Sequence, residues 1–294
     1  MQLILHIGMP KTGTTTIQHS LKNSYAALKR KKVIYPKSAL QHDNAVAHHE
    51  FFLHYASDRN AIKTPLPQTK LNIDQQLSEL TQERQQADAE AIILSSEMLW
   101  NPIAFDEQSY KQIQQALKNY RIYIIFYFRP VADHMLSGFA QRVCGPQRYS
   151  NGFSQHVQDM IKTGTYEYRP RITMLRKLFG ADNVAVAWLP NLRGDVLLPM
   201  RQLLPQLECV KKTPDMNQRK GWVYVAATRR INGTQTFIGG RAAHKLRAIA
   251  KRLDNVVSSS TLQNSLSPAK QSEIRQIEEK FKDQDRYARS IANC

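Results

Sequence analysis

Apolar residues fall along this chain in two kinds of run. Short continuous runs occur in "LILHIG" (3–8), "KKVIYP" (31–36), "AIILSSE" (91–97), "RIYIIFYFRP" (121–130) and "NVAVAWL" (183–189), and they read as buried strands. Between them the apolar positions recur at helical intervals. Thr14 to Lys29 reads as one helix, and 41–58 as a polar turn followed by a helix. Residues 73–90 form an amphipathic helix with Leu77 and Leu80 on one face. Residues 107–120 read as helical, and "VADHMLSGFAQRV" as a helix with Pro130 at its start. Near the end, 255–267 is a serine-rich connection and 268–291 one amphipathic terminal helix. No internal repeat is visible.

Strands that alternate with helices predict an α/β fold, a three-layer sandwich around a central parallel sheet. Ligands in such sheets bind at the carboxyl ends of the strands. The polar tips to examine are therefore "GMPKTGTTT", "SSE" and "FRP". A chain of 294 residues with 42% apolar content is expected to form a single domain, 1–294. No apolar run approaches the ~18 residues of a bilayer span, so the expectation is a soluble, cytoplasmic protein. Cys144, Cys209 and Cys294 lack metal-ligand spacing and read as reduced thiols.

Charge changes the picture. Lys and Arg number 41 against 24 Asp and Glu, a net +17. Between Cys209 and Arg252, eleven basic residues stand against Asp215 alone, a net +10. A field of that sign gathers anions. Aromatics interleaved with it are few (Trp222, Tyr224, Phe237) and no nucleic-acid motif accompanies them, which points away from nucleic acid.

The stretch "LHIGMPKTGTTTIQ" (5–18) carries the chemistry. Gly8 and Gly13 have the spacing of a Walker A loop, but Thr14 stands where that motif has its lysine, and the lysine is Lys11, inside the loop. No strand ends in the aspartate that holds magnesium in nucleoside triphosphatases. Gly13, the hydroxyls of Thr12, Thr14, Thr15 and Thr16, the amides of a helix N-terminus and one lysine suit an anion that needs no metal, such as a sulfate ester.

"PKTGTTT" after a first strand resembles the 5′-phosphosulfate loop of the sulfotransferases that use 3′-phosphoadenosine 5′-phosphosulfate (PAPS). Arg129 and Ser137, eight residues apart in "YFRPVADHMLSGFAQ", resemble that family's 3′-phosphate pair. "YP" at 35–36, "HHE" at 48–50, "SSE" at 95–97 and Tyr168 followed by "LFG" are similar to its bacterial, carbohydrate-directed branch. "RKG" at 219–221 matches a third family string in surroundings that do not match.

The resemblance implies a P-loop-like sulfotransferase fold, PAPS as co-substrate with 3′-phosphoadenosine 5′-phosphate as its spent form, and no metal requirement. It assigns the 5′-phosphosulfate to Lys11 and residues 12–16, the 3′-phosphate to Arg129 and Ser137, and donor positioning to Tyr168. The general base would be Glu97 first, His49 second and Glu50 third, with His48 and His49 beside an apolar "FFLH" run. The acceptor would be an anionic carbohydrate or glycolipid, such as a polysaccharide or lipopolysaccharide. The basic 209–252 segment would face that acceptor or make peripheral contact with a membrane surface. A divergent P-loop kinase is the alternative. A penicillin-binding enzyme shares "KTG", but its S-x-x-K nucleophile precedes that string, whereas "SPAK" here follows it.

Overall fold

The computed structural model describes residues 1–40, 45–62, 72–192, 194–214, 221–256, 267 and 269–292. Most of the serine-rich 255–267 connection, together with Asp215, Arg219, Lys220 and Cys294, lies outside them. In chain order the elements are β1 (Gln2–Gly8), α1 (Thr14–Asn23), α2 (Tyr25–Arg30), β2 (Val33–Ile34), α3 (His49–Leu53), α4 (Ile73–Gln86), β3 (Ala91–Ser95), α5 (Glu107–Ala116), β4 (Arg121–Phe128) and α6 (Val131–Cys144). There follow α7 (Phe153–Lys162), α8 (Tyr168–Phe179), β5 (Val184–Trp188), α9 (Leu198–Leu203), α10 (Trp222–Ile238), α11 (Gly240–Val256) and α12 (Gln271–Ser290).

The five strands form one wholly parallel sheet in the order β2-β3-β1-β4-β5. Strands covered on both faces carry continuous apolar runs rather than alternation. Accordingly Leu3, Leu5 and Ile7 of β1 and Ile124 to Phe128 of β4 are fully buried. From β1 the chain builds first toward β3 and β2, then toward β4 and β5. The sheet therefore changes direction at β1, and the crevice that follows from such a switch opens at its carboxyl end. Register sets what meets there: His6 lies opposite Ser95, and Gly8 opposite Tyr127.

The helix expected from Thr14 to Lys29 is two helices. Ser24 leaves the helical region (φ −95°, ψ 11°), and its amide donates to the carbonyls of both Ser20 and Leu21. Just before the break, Ser20 Oγ donates back to Thr16 O at 2.7 Å, the kind of bond by which serine competes with the backbone ladder. The apolar face survives the break. Ile17 and Leu21 of α1 and Leu28 of α2 share a core with Ile4, Val33, Ile93 and Ile125.

The chain divides into two compact units. The first comprises Met1–Arg129, Glu167–Asn217 and Gln284–Cys294, and holds the sheet. The second, Pro130–Tyr166 with Gln218–Asp283, is helical: Asn232 Nδ2 of α10 donates to Val143 O and Tyr149 O (2.9 and 3.1 Å), and Ser154 Oγ of α7 donates to Glu273 of α12. Among the described residues no helix is long and apolar enough to cross a membrane.

Candidate active site

The loop from β1 to α1 needs its two glycines for different reasons. A Cβ on Gly8 would sit 2.3 Å from Thr14 Cγ2, so the turn closes only over a bare Cα. Gly13, the N-cap of α1, is left-handed (φ 87°, ψ 7°), and a Cβ there would also meet Val196 Cγ1 at 3.0 Å. Lys11 between them has φ 69°, a conformation that costs a residue with a Cβ about 1 kcal/mol or more. Two bonds hold it. Thr12 Oγ donates to Met9 O at 2.6 Å, and Arg129 Nη1, from the end of β4, donates to Lys11 O at 3.1 Å. With those carbonyls tied down, the reversals of hand at Lys11 and Gly13 favour a concavity of amides, continued by the first turn of α1. Thr12, Thr14 and Thr16 are buried, whereas Lys11 and Thr15 are half-buried.

Beside the loop runs a chain of polar side chains inside the sheet. His6, fully buried on β1, shares a 2.8 Å hydrogen bond between Nδ1 and Ser95 Oγ. Gln18, on the inner face of α1, donates Nε2–H to Ser95 Oγ at 3.1 Å and to Glu97 Oε2 at 2.8 Å. Glu97 Oε1 lies 3.4 Å from His49 Nε2, and His49 Nδ1 shares a 2.9 Å hydrogen bond with Ser96 Oγ. Burial pushes the Glu97 carboxyl up, but the hydrogen bond and charge of His49 and the Gln18 amide outweigh it and bring it down to about 2. Burial likewise lowers the His6 imidazole to about 4, against the pull of Glu97, so His6 is neutral near pH 7. Its Nε2 is buried without a hydrogen-bond partner among the described residues and points at the loop: a Cβ on Gly8 would lie 3.1 Å from it.

Ser96, His49 and Glu97 form a serine–histidine–carboxylate series, but Ser96 is fully buried and cannot act as a nucleophile. Partial exposure belongs to the other two, with side chains 22% (His49) and 23% (Glu97) accessible. The arrangement can therefore take a proton from a ligand, not form a covalent acyl-enzyme.

The remaining candidates are placed as follows. His48 is a clamp: Nδ1 accepts from Ser95 N–H at 3.0 Å and Nε2–H donates to Pro36 O at 3.0 Å, while its own amide donates to Ser95 O. Burial lowers it to about 4, and its ring lies 4.4 Å from that of Tyr35. Glu50 is buried on α3, at 4% exposure. Tyr168 opens α8 with its ring fully buried, stacked 4.4 Å from Phe128 within the first unit. Arg129 is the last residue of its stretch of the first unit, and Ser137, half-buried on α6, belongs to the second. Of the sequence-predicted set, the structure brings together Lys11 through Thr16 with Arg129, and Glu97 with His49.

His6 and Gln18 were not expected. A signal for each exists: a histidine in the apolar run "LILHIG", and a glutamine at the i+4 position of an inner face marked by Thr14, Ile17 and Leu21. Among the described residues no group of three or more His, Cys, Asp or Glu is placed to hold a metal.

Fold and site together define a parallel α/β protein with a phosphate-loop-like turn at its central strand and an ion-paired carboxylate tied to the helix that follows. No protein-family model matches the chain, and no curated protein matches it. Among solved structures it is similar to a sulfotransferase from Alicyclobacillus acidocaldarius, with a TM-score of 0.46 and 13% identity over 85% of this chain and 96% of that one. At that distance the reading of the site rests on its own geometry.

Proposed function

We propose that this chain is a PAPS-dependent sulfotransferase acting on a hydroxyl of an anionic carbohydrate or glycolipid. The observation that carries the reading is Glu97, held ionised by His49 and Gln18 and tied through Gln18 to the helix that begins at the loop. A carboxylate maintained there serves a reaction in which a hydroxyl must lose a proton.

The loop fits the donor's anionic end. Gly8 and Gly13 let the turn close tightly against Thr14 and Val196, and Lys11 adds one positive charge. When bound, the donor supplies the sulfuryl group. Lys11 offsets negative charge that grows during transfer, and the amides of residues 12–16 orient the oxygens that do not react. Arg129 holds the Lys11 carbonyl and brings a fixed positive charge beside the loop for the donor's phosphates. The His49–Glu97 pair receives the acceptor's proton as a unit. Glu97 alone, with its carboxyl at about 2, is a weak base, and His49 Nε2, 3.4 Å from its Oε1, is the second acceptor of the pair. Tyr168, enclosed by Phe128 and Trp100, holds the β4 end that carries Arg129.

The test is the thermal midpoint with 3′-phosphoadenosine 5′-phosphate, without magnesium, against ATP plus magnesium at equal concentration. The bisphosphate is expected to raise it, by an amount equivalent to ~2.7 kcal/mol at 100 times Kd. Arg129→Ala should lose about 1.5–3 kcal/mol of that affinity, as for one charge-assisted bond. Lys11→Ala should instead depress kcat while leaving bisphosphate binding nearly intact. A shift with ATP and magnesium alone would make the loop a kinase loop and end this reading.

A further inference from the structure

The second unit carries an exposed apolar face. Of the eight large hydrophobic residues that stand exposed among those described, five lie between positions 237 and 253: Phe237 (88% exposed), Ile238, Leu246, Ile249 and Leu253. The last three, with exposed Ala242, follow the i, i+4, i+7, i+11 spacing of one helix stripe on α11. Phe237 and Ile238 end α10, just before the turn at Gly239 (φ 75°) that leads into α11.

The rotation of α11 that turns this stripe outward is fixed by an adjoining face, roughly 100° round the helix. Ala243 and Ala250 are buried there, Arg247 Nη2 donates to Asn232 Oδ1 (2.8 Å) and to Gln235 Oε1 of α10, and Asp254 accepts from the amides of Gly221 and Tyr224 at 3.0 and 3.2 Å. At about 100° per residue, Arg241, Lys245 and Arg252 fall roughly 70–110° from the midline of the apolar stripe, all exposed. The helix thus has three sides: one packed, one apolar and outward, and one basic between the apolar side and solvent.

We propose that the outer face of α11, with Phe237 and Ile238 at its head, docks on an anionic lipid bilayer and lies in the plane of the interface. The apolar stripe enters the acyl boundary while Arg241, Lys245 and Arg252 meet acidic headgroups. Charge selects this occupant. Two copies of the chain facing each other here would oppose like charges, since the one acidic residue described on α11, Asp254, is already engaged by backbone amides. Nucleic acid would satisfy the basic side but gain nothing from Leu246, Ile249 and Leu253. This inference does not depend on the sulfuryl-transfer reading.

Co-sedimentation of the full chain with vesicles tests it. Binding is expected to vesicles of phosphatidylcholine and phosphatidylglycerol in equal parts, weakening as salt rises, with little binding to phosphatidylcholine alone. The variant Leu246→Ser/Ile249→Ser/Leu253→Ser, and separately Phe237→Ser, should each bind at least tenfold more weakly with unchanged circular dichroism. Arg241→Gln/Lys245→Gln/Arg252→Gln should lose most of the salt dependence. Undiminished binding in both apolar variants would overturn the proposal by reducing the contact to a diffuse charge effect. So would full competition by free glycerophosphoglycerol, or a dimer in solution that the triple serine variant dissociates.

Discussion

Glu97 shows how much a single side chain depends on two neighbours. Burial alone would raise its carboxyl, and His49 with Gln18 reverses the direction and brings it to about 2. A carboxyl depressed from its ordinary 4.5 contributes stability that is present above that value and lost as pH falls toward 2. His49→Gln removes the charge and leaves the burial, so the carboxyl should rise and the acid limb of kcat/KM should move to higher pH. An unmoved limb in that variant would show that the pair does not act as one. Glu97→Gln keeps the shape and removes the charge, and about a 10²-fold loss in kcat is expected with bisphosphate binding preserved. Lys11, Arg129 and Glu97 are legible in the sequence because each stands at a strand's polar tip. His6 and Gln18 are not, because they lie inside apolar patterns where a polar residue reads as an accident until its partner, Ser95, is known from another strand.

Among the elements, the strands were the legible part. All five apolar runs are strands, since burial on both faces demands continuous apolar sequence whatever the neighbouring strand is. Helices were legible in place but not in continuity. Nothing in the periodicity of Thr14 to Lys29 reports that Ser20 Oγ competes for a backbone carbonyl and that the ladder breaks at Ser24. The hairpin of α10 and α11 was legible only as a basic stretch, because the polar ties that orient α11 join residues far apart in sequence. One of these ties is testable alone. Asp254→Ala frees the amides of Gly221 and Tyr224 at the start of α10, and a loss of about 1 kcal/mol is expected, as for a removed helix cap. Hydrogen exchange should rise first at those amides. Exchange that stays unchanged there would show that Asp254 does not secure the helix start.

For the molecule as a whole, the burial of histidines shapes the response to acid. His6, His48 and His156 are each lowered from 6.5 to about 4, chiefly by burial, with Arg142 adding to the effect at His156. A histidine depressed in the folded state supports stability fully above its unfolded value, and that support is lost as pH falls from 6.5 toward 4. The unfolded chain takes up as many as three protons that the folded one refuses, so the slope reaches about 4 kcal/mol per pH unit between those limits. The thermal midpoint should therefore fall steeply from pH 6.5 to 4, with the depressed carboxyls adding to the fall in the lower part of that window, and a combined His48→Gln/His156→Gln variant should flatten the decline. A midpoint level across that window would mean that these rings are protonated in the fold.

The two bonds that hold the loop, from Thr12 to the Met9 carbonyl and from Arg129 to the Lys11 carbonyl, fix two carbonyls that would otherwise be able to turn. A turn already set in this way has little conformational freedom to surrender on association. Its encounter with an anion should be a single step whose observed rate rises linearly with concentration and shows no plateau. Under the sulfuryl transfer proposed above, the spent nucleotide would meet the same pre-set turn, and the basic charge of the chain would slow its departure.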